Sequence, residues 1–207
     1  MGHKLFSPKY WFFDLVKVTA VPGLLWLRPK WQYESPEARR RIRGGALIAS
    51  NHTSHLDPVY LQFAVGYRRQ RFVCMKEFYA KPFWRWVFSH FLCIPVDREN
   101  VSMKTMREVS DALQDGWVVS IFPEGHITDG QTGIFKTGVI LMAAQGKCPI
   151  IPVYIRKPER WWKRLRICIG EPVDVVGICG GKPNLRQMKE ISEMLRNKEE
   201  RLEALCQ

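Results

Sequence analysis

Apolar residues along this chain follow two alternating patterns, short unbroken runs and longer stretches in which they return every three or four positions. The unbroken runs at 46–50, 71–75, 93–96, 117–122, 150–154 and 165–169, bounded by Gly, Pro and polar residues, predict strands. The stretches between them predict helices over 58–65, 82–89, 102–114 and 135–145. In 102–114, Met103, Met106, Val109 and Leu113 share one face, and Gly116 stands just past the end. Asn184 is placed to cap a last helix whose buried stripe is Leu185, Met188, Ile191, Leu195 and Leu202. Near the amino end, 8–27 predicts two short helices broken at Pro22-Gly23. Strands alternating with helices predict an α/β fold, with a central mostly parallel or mixed sheet flanked by helices. At 207 residues, 46% of them hydrophobic, the chain is long enough for a single domain with a sizeable core. The expected division is an N-terminal basic, aromatic-rich interfacial helical segment over 1–43 and an α/β domain over 44–207.

Charge refines that division. The net charge is +12, and residues 1–45 hold half of the excess. A basic surface suits nucleic acid, anionic lipid or an acidic carrier protein, so the sign alone does not choose. Aromatic placement helps choose, the competing reading being that these aromatics simply pack on the domain. Phe6, Tyr10, Trp11, Phe12, Phe13, Trp26 and Trp31 stand among those cations, the mixture that settles at a lipid headgroup boundary. Asp14 and Lys17 interrupt the apolar stretch, and the run Val18 to Leu27 is about half of the roughly 20 residues needed to span a bilayer. The segment is expected to lie on the membrane and, lacking a signal-peptide cleavage pattern, to be retained. The expected partner is a membrane surface with anionic lipids, with no nucleic acid, at the cytoplasmic face. Six cysteines are scattered without a C-x-x-C pair and read as reduced thiols.

The chemistry concentrates in Asn51-His52-Thr53-Ser54-His55-Leu56-Asp57, where an imidazole and a carboxylate stand five positions apart after a predicted strand. A histidine that takes a proton needs a partner to hold its ring and stabilise the imidazolium, and a carboxylate does both. Two other readings compete. Asp57-Pro58 is a good helix start, with Asp57 satisfying backbone donors. His52, His55 and Asp57 together are also a candidate metal set for a hydrolase, although no other His or Cys pair has ligand spacing. Downstream, the strand at 117–122 stops in Pro123-Glu124-Gly125, which puts Glu124 at a carboxyl end, where α/β sheets place their ligands.

These blocks, taken in order, resemble the glycerolipid acyltransferase family, the lysophosphatidic acid acyltransferases related to bacterial PlsC. His52 and Asp57 match its His-x4-Asp motif, and Phe122-Pro123-Glu124-Gly125 matches its Phe-Pro-Glu-Gly block. Ile94-Pro95-Val96-Asp97-Arg98 matches the block ending in Asp-Arg. Lys76-Glu77 with Lys81-Pro82-Phe83 is similar to a further run, and Pro149 to Ile155 to the fourth block, so the likeness extends from about Gly45 to Val173. It departs where the family commonly continues with Thr-Arg-Ser, because this chain has His126-Ile127-Thr128 and no arginine there. Trp84, Arg85 and Phe91 also replace smaller residues, which implies a reshaped pocket.

The resemblance implies transfer of a fatty acyl group from an acyl thioester to the free hydroxyl of 1-acyl-sn-glycerol-3-phosphate, giving phosphatidic acid. His52 would be the base and Asp57 its orienter, with Lys76, Arg98, Glu124, Gly125 and Lys136 binding substrate. No metal and no cofactor are expected beyond acyl-CoA or acyl carrier protein as donor. Another lysolipid or glycerol phosphate is the alternative acceptor, and the metal-dependent hydrolase is the more distant alternative.

Overall fold

The computed structural model describes residues 10–26, 28–97, 101–124, 137–158, 160 and 164–207. Its centre is a seven-stranded sheet of β1 (Lys30–Tyr33), β2 (Ala46–Ser50), β3 (Gln70–Met75), β4 (Ile94–Val96), β5 (Val118–Ile121), β6 (Ile150–Arg156) and β7 (Arg166–Ile169), in the order β1-β7-β6-β2-β5-β3-β4. The five strands from β6 to β4 run parallel, whereas β7 is antiparallel to β6 and carries β1 parallel to itself. The sheet is therefore mixed, as expected. Helices α2 (Asp57–Ala64), α4 (Met103–Gln114) and α5 (Thr137–Gly146) occupy the connections between parallel strands. A short 3₁₀ turn (Lys76–Ala80) and α3 (Pro82–His90) link β3 to β4, and α6 (Val175–Cys179) and α7 (Leu185–Leu205) follow β7.

The unbroken apolar runs have a simple cause. Every residue of β2 is buried, with Leu47 and Ala49 packing in one core and Ala46 and Ile48 in another. Strands covered on both faces read as continuous rather than alternating hydrophobicity. One core gathers Val109 and Leu113 of α4, Val139 and Ile140 of α5, and Ile191 and Leu195 of α7. The other gathers Tyr60, Leu61 and Ala64 of α2 against Phe72 of β3 and Ile151 and Ile155 of β6. Gly45, at the entrance to β2, leaves room for the Leu113 carbonyl, which would lie 2.0 Å from any Cβ added there. A side chain at that position would force β2 away from α4.

Two expectations change. Residues 11–26 form one helix, α1 (Trp11–Trp26), with Pro22 inside it rather than a break. Proline removes one helical hydrogen bond, and the carbonyl it orphans belongs to Val18, on the helix's exposed side, where water can serve it. Asp14 and Lys17 interrupt the apolar stretch as expected, and they do so by pointing inward, which leaves the outer face apolar. Asp14 pairs with Arg69 through two bonds, Nε to Oδ1 at 2.9 Å and Nη2 to Oδ2 at 2.7 Å, and Lys17 donates to the Gly66 carbonyl. Burial lowers the Lys17 pKa, against the raising effect of Asp14. Finally, Cys168 and Cys206 form a disulfide, so the expectation of six thiols is corrected. The pairing was hidden in sequence because it depends on α7 returning to β7. It also removes the cysteine-based reason for assigning a reducing compartment.

Candidate active site

Strands β2, β3, β4 and β5 all end on the same rim of the sheet, because they run parallel. His52 follows β2, Lys76 follows β3, Asp97 follows β4 and Glu124 follows β5. Four blocks that are far apart in the chain therefore converge through topology alone. This is the edge at which parallel sheets bind ligands.

The His52 loop is held from two sides. Asn51 is buried, its amide nitrogen donating to the Ile155 carbonyl at 2.9 Å while its Oδ1 accepts from the Ile155 N–H at 2.7 Å. This clamps the end of β2 against β6. On the other side, Oδ2 of Asp57 lies 3.0 Å from Nδ1 of His52 and accepts the N–H groups of Thr53 at 2.6 Å and Ser54 at 2.7 Å. Asp57 is the first residue of α2 and not its cap: Leu56 holds the N-cap position without a side-chain cap bond, and the Asp57 carboxylate turns back to the loop N–H groups and the imidazole. The expectation of a helix cap is corrected, and that of a carboxylate beside the imidazole holds.

The hydrogen-bond pattern assigns the tautomer. An oxygen that already accepts two backbone N–H groups cannot be the donor to Nδ1, so Nδ1 carries a hydrogen, and in the neutral imidazole the lone pair is then on Nε2. The Phe122 ring stacks on the imidazole, with centroids 4.2 Å apart and planes 20° apart, which fixes ring orientation from the β5 side. The His52 side chain retains 13% exposure and that of Asp57 none. Asp57 Oδ1 is buried without a hydrogen-bond partner among the described residues, which leaves the carboxylate's second oxygen to act through charge. The arrangement presents an oriented, partly exposed imidazole with a fully buried carboxylate behind it.

Other predicted residues divide. Lys76 is ion-paired with Asp97, so a carboxylate already answers its charge. Glu124 is buried. Burial pushes the neighbouring Glu199 carboxyl of α7 up to about 8, with the charges of Glu124, Glu203 and Glu200 adding to the effect. Arg98, Gly125 and Lys136 lie outside the described residues. His55, the third member of the metal alternative, is exposed, and no group of three His, Cys, Asp or Glu side chains that could hold a metal occurs among the described residues. Sequence reasoning missed Asn51, the stacking role of Phe122, and Lys157, whose Nζ donates to the Thr53 carbonyl at 3.1 Å. Lys157 was discoverable in principle, because it directly follows a parallel strand.

A histidine oriented by a buried carboxylate at the carboxyl rim of a mostly parallel sheet defines an α/β domain equipped for general-base chemistry. The family model described as Acyltransferase matches residues 30–156, more than half of the chain, and the chain belongs to that family. It is 28% identical over 137 residues to 1-acyl-sn-glycerol-3-phosphate acyltransferase of Bacillus subtilis (strain 168), covering 62% of this chain and 67% of that protein. It is 30% identical over 117 residues to a probable 1-acyl-sn-glycerol-3-phosphate acyltransferase of Mycoplasma pneumoniae, covering 53% and 43%. With the enzyme of that name from Streptococcus pneumoniae it shares 26% over 140 residues, covering 64% and 51%. The chain thus spans only about half the length of the latter two relatives. The crystal structure of PlsC, the 1-acyl-sn-glycerophosphate acyltransferase from Thermotoga maritima, superposes with a TM-score of 0.66 over 95% of this chain and 80% of that one. At 21% identity, that likeness establishes a shared fold.

Proposed function

We propose that the chain transfers an acyl group from a thioester donor to the free hydroxyl of 1-acyl-sn-glycerol-3-phosphate, yielding phosphatidic acid. The observation that carries this reading is the His52–Asp57 pair, oriented and backed by charge on a rim where the family's other blocks converge. Nε2 of His52 takes the hydroxyl proton as the oxygen attacks the thioester carbonyl, forming the ester C–O bond and breaking C–S. The imidazolium, stabilised by Asp57, then returns the proton to the departing thiolate. An acyl-enzyme is unnecessary, because the thioester is already activated. The donor is acyl-CoA or an acyl carrier protein, and no further cofactor takes part. Arg98 and Lys136 remain proposed acceptor-binding cations, with Glu124 and Gly125 shaping the glycerol side and Lys76 acting through its Asp97 pair.

The chain is proposed to work as a peripheral or monotopic protein on anionic membrane at the cytoplasmic face. Supporting this, α1 exposes Trp11, Leu15, Val18, Leu25 and Trp26, and Leu56, Val59, Phe78, Phe83 and Trp84 are exposed on segments that follow β2 and β3. Among the described residues, no helix is long and apolar enough to cross a membrane.

The test is direct. Purified protein given labelled acyl-CoA and lysophosphatidic acid is expected to form labelled phosphatidic acid, and His52→Ala is expected to lower kcat by about 10²- to 10⁴-fold. Full activity in His52→Ala would refute the mechanism; turnover only on a different lysolipid or on glycerol phosphate would select the alternative acceptor.

A further inference from the structure

Strands β2 and β6 are parallel neighbours, with Ser50 opposite Val153, so the chain leaving β6 emerges beside the loop leaving β2. The Asn51 clamp on Ile155 locks that adjacency two residues before Lys157. Pro158 follows, which disfavours helical backbone at Lys157 and keeps the chain extended as it exits the sheet. Lys157 then lays its ammonium 3.1 Å from the Thr53 carbonyl. Thr53 is the residue after His52, and its own N–H holds Asp57. The cation is thus built into the loop that carries the base.

Its electrostatic situation differs from that of Lys76. Asp97 answers the Lys76 charge, whereas the partner of Lys157 is a neutral carbonyl. Among the described residues no carboxylate pairs with Lys157, and the Thr53 carbonyl occupies one of the three N–H donors of its ammonium. The side chain is exposed at the carboxyl end of β6 and bonded to the residue that follows His52. An ammonium placed this way suits a phosphomonoester, since charge-assisted bonds to a dianion are short and strong, and a compact cation tolerates variation in the angle of approach.

We propose that Lys157 binds the acceptor's phosphate beside His52 and sets the preference for phosphorylated over neutral glycerolipid acceptors. The proposal rests on the acyl-transfer reading above, and the experiment separates the two. Binding of 1-acylglycerol-3-phosphate and of uncharged 1-acylglycerol is measured by equilibrium methods on the full chain, independently of turnover. KM and kcat are then measured with acyl-CoA as donor. Lys157→Gln is expected to weaken binding and raise KM for the phosphorylated acceptor by about 10- to 100-fold, the worth of a charge-assisted bond. The loss should fall mainly on KM and be much smaller for the neutral acceptor, and Lys157→Arg should restore most of it. Equal losses on both acceptors, or a fall in kcat alone, would mean that Lys157 merely positions the Thr53 loop and would overturn the proposal. Unchanged binding of the phosphorylated acceptor would overturn it too. Selective loss of phosphorylated-acceptor binding in Lys157→Gln, where the parent chain turns over neither lipid with acyl-CoA or with an acylated carrier protein, would uphold the proposal while refuting acyl transfer.

Discussion

Glu199 lies 4% exposed on α7, with its carboxyl pushed up to about 8 by burial and by the nearby charges of Glu124, Glu203 and Glu200. The folded protein therefore keeps a proton there that the unfolded chain releases near its ordinary value of 4.5. The stability contributed by the neutral carboxyl is complete below that unfolded value and is lost as pH rises through about 8. Glu199→Gln keeps the shape and cannot ionise. Denaturant midpoints across about pH 5 to 9 are expected to fall in the parent chain and stay flatter in the variant, a divergence of a few kcal/mol at the alkaline end. Parallel curves would show that the carboxyl ionises without penalty. This residue was illegible in sequence, because its burial arises only where α7 crosses the sheet. His52 and Asp57 were legible because one short loop carries both.

At the scale of elements, α1 is joined to the domain by charge as well as by rings. Phe12 meets Trp86 with centroids 4.9 Å apart, Tyr10 meets Trp117 at 5.7 Å, and the Arg69 guanidinium sits 5.1 Å from the Tyr10 ring. The Asp14–Arg69 pair lies beneath them, largely shielded from water. Removing one partner of a buried pair leaves the other uncompensated, so Asp14→Ala is expected to destabilise the protein by about 3–5 kcal/mol. An Asp14→Leu, Arg69→Met double variant should recover much of that loss in the same denaturant titration. A negligible effect of Asp14→Ala would mean that α1 is held by aromatic packing alone. Most elements could be read from sequence, since double-sided burial writes strands as apolar runs. The edge strand β1 could not, because Lys-Trp-Gln-Tyr is polar and largely exposed, and becomes a strand only by pairing with β7. It lies within the segment expected to be interfacial, so part of that segment belongs to the sheet. The last helix kept its predicted Asn184 cap, but Leu185 is exposed rather than part of the buried stripe.

For the whole molecule, the inward turn of Asp14 and Lys17 leaves α1 with an outer face rich in exposed apolar residues, on a chain of net charge +12. That combination is what supports the proposed adsorption to anionic bilayers. Vesicles containing acidic lipid are expected to float the full chain and to float much less of Trp11→Ser, Leu15→Ser, Val18→Ser, which alters only the outer face; equal flotation would refute the proposed membrane contact. The Cys168–Cys206 bridge has a consequence of another kind. It joins positions 38 apart in sequence, and α6 and α7 both lie between them. The connectivity is that of a tadpole: a covalent ring containing both carboxyl-terminal helices, with the strands that carry His52 and Glu124 in the open tail. Melting α7 cannot release it from β7, so it re-docks as a tethered lasso whose search volume is set by the ring and not by the length of the chain.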